Sequence, residues 1–386
     1  MSDPSRTATD ARGDTSAAHP PAVFDEMREH CPIAHSDATG WSFFRHRDVM
    51  RALQDPETFS NAVSRHLSVP NGMDPPEHTA YRDIVTPYFD DDAMATFELP
   101  LRRIARDLAG NAVRHPDGEF IARFCAPFAA QAQCTFLGWP NSLDAQLIDW
   151  VQRNMAATRT QDRDALASVA AEFRELVAGL LRARRTAGAD APDDNTTRLM
   201  RERVDGAPLS DEALVSILRN WTMGEVGTLA ASLGIIVAFL AQRPDIQNEL
   251  RSKPAAIPDA VEEILRLHGP LPSNRRRTTR EVEIGGQRIP AGSRITVMWP
   301  AANRDPEAFD EATTYRPDRD QSSNLLWGYG IHVCPGAPLA RLELRVALEE
   351  LLAATTTIEH HPEHAPTPQT YPATGFATLP LRLHGR

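Results

Sequence analysis

The run Trp327-Gly328-Tyr329-Gly330-Ile331-His332-Val333-Cys334-Pro335-Gly336 carries one cysteine on a glycine-spaced loop. Just beyond it, Pro338 and the stretch Leu339 to Leu352 repeat apolar residues at helical spacing among strong helix formers. Cys334 therefore precedes a helix N-terminus, where free N–H groups and the positive end of the macrodipole favour an anionic sulfur. The glycines let backbone approach a flat ligand that side chains would hold off. A thiolate presented this way is a soft metal ligand; on a haem iron it pushes electron density to the metal and favours O–O cleavage. A cysteine in such a loop, taken alone, is more often a small buried hydrophobe.

Other residues pair by spacing. Glu225 and Thr228, in Trp221-Thr222-Met223-Gly224-Glu225-Val226-Gly227-Thr228, lie three apart on a helix expected from Asp211 to Arg243. At 1.5 Å per residue that helix would span roughly 50 Å and cross a whole domain. Ser210 caps it, Asp211 and Glu212 complement its dipole, and Pro244 stops it. Gly224 and Gly227 each cost about 1 kcal/mol of helix propensity, which points to a local opening or a close contact. His78 and Arg82, four apart after Asp74-Pro75-Pro76, share a helix face suited to gripping a carboxylate through charge-assisted bonds. Glu263 and Arg266 place opposite charges at i and i+3, a pair that is usually solvated.

The cysteine loop resembles the haem-binding signature of the cytochrome P-450 superfamily, F-G-x-G-x-H-x-C-x-G, with Trp327 in place of the phenylalanine. The tryptophan brings an N–H donor that needs a partner. Asp74 to Arg82 is similar to the D-P-P-x-H-x-x-x-R helix start of that superfamily, and Glu263 to Arg266 to its E-x-x-R helix. The resemblance covers Ala22 to the C-terminus and implies a soluble bacterial-type haem-thiolate monooxygenase. It implies a mainly α fold with a small β-rich region, a triangular helical prism enclosing haem b (iron protoporphyrin IX). Cys334 would be the axial ligand, His78, Arg82, Arg276 and His332 the propionate contacts, and Arg319 the third member of a structural triad with Glu263 and Arg266. Thr228 takes the position of the oxygen-handling threonine, but the acid expected beside it falls on Gly227. Glu225 is then a displaced proton donor or a polar anchor for substrate.

What the resemblance implies for activity is insertion of one oxygen atom from dioxygen into a small, mainly hydrophobic or aromatic molecule. Hydroxylation, epoxidation and O-dealkylation all fit, with electrons from a ferredoxin and ferredoxin reductase or a flavoprotein docking near Arg341 or Arg345. Natural-product tailoring or coupling, a peroxide-driven haem-thiolate enzyme, and a non-catalytic haem sensor are the alternatives. The loop from Val63 to Gly72, Val226 and Leu229, Leu271 to Asn274, and Phe376 within the turn from Thr374 to Thr378 are the expected pocket walls.

Composition agrees with such an enzyme. The chain has 386 residues, a net charge of −11 and only four widely spaced cysteines. The charge disfavours nucleic acid as a partner, and the cysteines form neither a zinc pattern nor a disulfide framework. Residues 1–21 lack a signal core and are expected to be a mobile tail, followed by one domain over 22–386. No run reaches the roughly 18 apolar residues of a membrane span, so no membrane partner and a cytoplasmic location are expected.

The elements that must position these groups are mostly helices, expected over Ala22–His30, Arg47–Leu53, Pro76–Tyr88, Glu98–Val113, Leu143–Ala157, Arg163–Arg185, Asp245–Ser252, Asp259–Leu267 and Pro338–Ala354. Strands are expected at Trp41–Arg45, Val282–Ile284, Ile295–Trp299 and Thr355–Glu359, with Gly285-Gly286 turning a hairpin. Thr186 to Thr197 reads as a loop.

Overall fold

The computed structural model describes residues 21–64, 66–370 and 374–386. The expected tail lies outside them except for Pro21, which opens the first helix, Pro21–His30. Helices form where the apolar spacing is helical: Asp91–Arg114, Asp144–Thr160, Arg163–Ala187, Ile257–His268 and Ala337–Ala354, the last being the cysteine helix. Their buried leucines, phenylalanines and alanines merge into one large core cluster.

A rod through this core, Asp211–Ala241, is the one described helix long and apolar enough to cross a membrane, and it is mostly buried inside the protein. Ser210 caps it by accepting from Ala213 N at 3.1 Å. The rod is not one α-helix. Asp211–Thr222 gives way to a π turn over Met223–Gly227, and α geometry resumes over Thr228–Ala241. The opening falls where the two glycines lower helix propensity.

Two helices escape the periodic pattern. Ala126–Leu137 is buried on nearly every side, so no polar face marks its turns. Asn195–Arg201 occupies the expected loop because the polar residues there are spent on structure. Asp194 caps it at Thr197 N (2.8 Å) and grips Arg184 at 2.6 Å, while Thr196 donates to Leu137 O.

Beside the helices a five-stranded sheet runs in the order Ile33–Ser36, Gly40–Phe43, Arg294–Met298, Ser273–Thr278, Phe59–Ser60. All neighbours are antiparallel except Gly40–Phe43 with Arg294–Met298. The chain leaves this sheet one residue earlier than expected, because Trp299 starts a short helix with Pro300 in its first turn. Side chains alternate faces along Ser273–Thr278, so Arg276 points inward between the exposed Arg275 and Arg277. Val282–Ile284 and Gln287–Ile289 form the hairpin over Gly285-Gly286.

Glu263 and Arg266 are fully buried, not solvated. Two bonds of 2.8 Å join them, Arg319 Nε reaches Glu263 at 3.3 Å, and Arg266 Nη1 donates to Ala312 O at 2.8 Å. The pair stitches the Ile257–His268 helix to the segment that leads into the cysteine loop. Removing one partner strands the other charge in the core. Arg266→Met is expected to lower stability by about 3–5 kcal/mol in denaturant unfolding, whereas breaking the exposed Arg153–Glu172 pair should be nearly neutral.

Candidate active site

The cysteine loop packs against the end of the helix His46–Gln54. A side chain on Gly330, at φ +71°, would stand 2.7 Å from Leu53 O, so backbone itself makes the contact. Cys334 N donates to Trp327 O at 2.8 Å, closing the loop. The sulfur opens on an internal cavity of about 330 Å³. Burial raises the Cys334 thiol, opposed by the Gly336 backbone N–H and by the charges of Arg82 and Arg341. The helix terminus thus acts in the direction the sequence suggests, but burial outweighs it; a bound cation would supply the missing charge.

The tryptophan's N–H finds its partner in Glu262, at 2.9 and 3.0 Å. Arg341 closes the arrangement, bonding Glu262 at 2.7 Å with its guanidinium 5.1 Å from the Trp327 ring centre. Arg345 is likewise answered, by Glu98 at 2.7 Å and Glu349 at 3.2 Å. The expected basic docking patch is therefore neutralised by the chain's own carboxylates.

His332, Arg276 and Arg82 line the same cavity, and His78 lies behind with its ring centre 4.3 Å from that of His332. Both ring nitrogens of His78 and Nε2 of His332 are buried without a hydrogen-bond partner among the described residues. Burial, reinforced by neighbouring positive groups, pushes His332 down to about 3 and lowers His78. Burial also brings Arg276 down to about 10 and lowers Arg82. Neither arginine has a carboxylate partner among the described residues; Arg276 Nη1 donates only to Arg275 O. Four donors left this way at or just behind the wall of a cavity, with a thiol opening on it, fit a metal cofactor that carries carboxylates of its own.

Glu225 and Thr228 line the same cavity. The Thr222 and Ser232 hydroxyls bond back to their helix at 2.8 Å, but no such bond holds Thr228. Glu225 is buried and pushed up to about 7 by that burial, opposed by the neighbouring Glu343 carboxyl. Gly227 faces away, toward the Asp144–Thr160 helix: a side chain there would come within 2.7 Å of Met155 Cε.

Leu229, Leu271 and Asn274 line the cavity as expected. Val226 and Phe376 do not. The π turn rolls Val226 into the core, and Phe376 packs against that core beside Gly375, which touches Ala231 and Ile235 of the rod. From the loop before the His78 helix, Val69 and Asn71 reach the cavity, tied to the rod by Ser216 and Asn220. Sequence reasoning missed Glu343, although an acid three and four positions from Leu339, Val346 and Ala347 on the apolar face of the cysteine helix was its signal.

Residues 256–383 match the family model described as cytochrome P-450. The chain is 31% identical over 351 residues to the cyclomarin C epoxidase CymV of Salinispora arenicola, 86% of this chain and 88% of that relative. It is 34% identical over 338 residues to the erythromycin C-12 hydroxylase of Saccharopolyspora erythraea, 85% of each. The chain belongs to the cytochrome P-450 family. Among solved structures, cytochrome P-450 CYP109Q5 from Chondromyces apiculatus superposes with a TM-score of 0.86 at 27% identity, over 96% of this chain and 98% of that one. This P-450 is a monooxygenase, an oxidoreductase of the haem-thiolate type.

The Gly227 geometry gives a direct test. Gly227→Asp, which restores an acid beside Thr228, is expected to lose no more than about 1 kcal/mol, because the Met155 terminal methyl can swing aside. Adding Met155→Ala should return part of that loss in the same denaturant titration.

Proposed function

We propose that this P-450 inserts oxygen into a small, mainly hydrophobic or aromatic molecule, using haem b and electrons from a separate ferredoxin and its reductase or from a flavoprotein. The observation that carries the reading is the meeting of the Cys334 thiol, the Thr228 hydroxyl and the Glu225 carboxyl on one cavity that Arg82, Arg276 and His332 also line. Cys334 would hold the haem iron, and Arg82, Arg276, His78 and His332 its propionates. Bound there, the cofactor supplies reductive activation of dioxygen.

The chain's own residues handle protons and substrate. The Glu225 carboxyl holds a proton close to neutral pH, where a general acid is most effective. The Thr228 hydroxyl, not tied to its own helix, is placed to pass that proton into the cavity. Leu229 and Leu271 favour an apolar substrate body, with Asn274 as a polar fixing point. The named activities of the two relatives, on cyclomarin C and erythromycin, support natural-product tailoring among the possible roles. A cytoplasmic location is part of the same reading.

Turnover of a binding substrate with isotopically labelled dioxygen and a ferredoxin system should place one labelled atom in the product. Glu225→Gln should slow that turnover by about 100-fold or more and divert electrons to peroxide. Equal turnover with peroxide alone would favour the peroxide-driven alternative, and tight ligand binding with no turnover from any donor would favour the sensor.

A further inference from the structure

Glu343 lies on the cysteine helix with no exposure, and both its carboxyl oxygens are buried without a hydrogen-bond donor among the described residues, with the Glu225 carboxyl as neighbour. Oε1 of Glu225, on the π turn, is orphaned in the same way. Two acids buried against each other cannot both ionise, and neither can be left as an unpaired charge. The arrangement is satisfied when one carboxyl is protonated and donates to the other.

We propose that Glu343 is a positioning residue for Glu225: its carboxyl O–H donates to the Glu225 carboxylate across the junction of the π turn and the cysteine helix. The pair then carries two protons in acid and one above neutrality. When Glu225 gives its proton to the cavity, the charge left on it is met by the Glu343 O–H, which stays protonated, and a solvent proton restores the first state. Burial and the neighbouring carboxyl hold Glu343 well above the carboxylate range, so it keeps its proton throughout. The same bond opposes the rise that burial imposes on Glu225 and leaves that acid at about 7.

Arg82, Arg276 and His332 share the cavity wall with Glu225 and are unpaired titratable groups there among the described residues, whereas the charged groups on the helices around the pair are engaged elsewhere. On the packed helices Arg153 pairs with Asp149 and Glu172, Arg185 with Asp211, and Arg341 with Glu262. Arg102, Arg106 and Arg345 pair with Glu98, Glu349 and Glu350, and Arg266 and Arg319 with Glu263. Arg219 donates to Leu67 O, and burial pushes the Cys134 thiol to about 12. The Cys334 sulfur also senses Glu225, whose charge raises the thiol.

The inference rests on the monooxygenase reading only for its catalytic meaning, and a titration without turnover tests it. Infrared difference spectra of the haem-loaded, carbon-monoxide-bound protein should show one buried carboxyl deprotonating near neutral pH and a second that stays protonated. Glu343→Gln, whose amide can still donate, should keep that midpoint; Glu343→Leu should raise it by about one pH unit, a tenfold change, and move the acid limb of the kcat profile with it. If Glu343→Leu does not fold, Glu225→Gln decides by abolishing the near-neutral step while the second band remains. An unchanged midpoint in Glu343→Leu, or two carboxyls ionising together below about pH 5, overturns the pair. With wild-type turnover intact, that result removes Glu343's role alone; absent turnover with the expected titration removes the monooxygenase reading alone.

Discussion

Cationic and donor side chains buried without an anion constrain this molecule more than any other feature. Arg82, Arg276, His78 and His332 lie in or behind the wall of the cavity onto which the Cys334 sulfur opens. Burial lowers all four, and the charge of Arg82 further lowers His78 while His78, Arg276 and Arg82 further lower His332. Their desolvation costs several kcal/mol per ion unless a partner offsets it. The fold meets that cost only in part, so it holds these groups in place by other means. Strand alternation turns Arg276 inward, and the buried Glu263–Arg266–Arg319 network anchors the segment that delivers the cysteine. Carboxylates borne by a haem answer the same need, which ties cofactor binding to stability through mass action.

The second constraint sits in the rod. A straight helix would give Glu225, Val226 and Leu229 faces fixed by 3.6-residue spacing, but the π turn over Met223–Gly227 inserts one residue and rotates the register by roughly 100°. Glu225 consequently lies at both the cavity and the cysteine helix, while Val226 joins the core. Gly227 meets the Met155 terminal methyl, which would have to swing aside before the acid that the family usually keeps there could fit.

Much of this was legible in the sequence because the signals were local. The cysteine loop, the amphipathic helices and the hairpin over Gly285-Gly286 follow from spacing and turn chemistry over a few residues. Arg319 was chosen by resemblance, and it contacts Glu263. The remainder depends on tertiary context. Ala126–Leu137 has no polar face to reveal its period, and the cap of Asn195–Arg201 reads as loop until Arg184 and Leu137 are seen beside it. Arg341 and Arg345 look like a free basic patch only while Glu262 and Glu98 are far away in sequence. The partnership of Glu225 with Glu343 joins positions more than a hundred residues apart, and no spacing rule reaches that far.

In the proposed reading, Cys334 supplies a thiolate to haem iron within the cavity that anchors the cofactor. The most direct measurement is the spectrum of the reduced, carbon-monoxide-bound protein, wild type against Cys334→Ser. The wild type should show the strongly red-shifted Soret band of thiolate ligation, and Cys334→Ser should lose it. A band typical of histidine ligation in the wild type, or one left unchanged by Cys334→Ser, would contradict that reading.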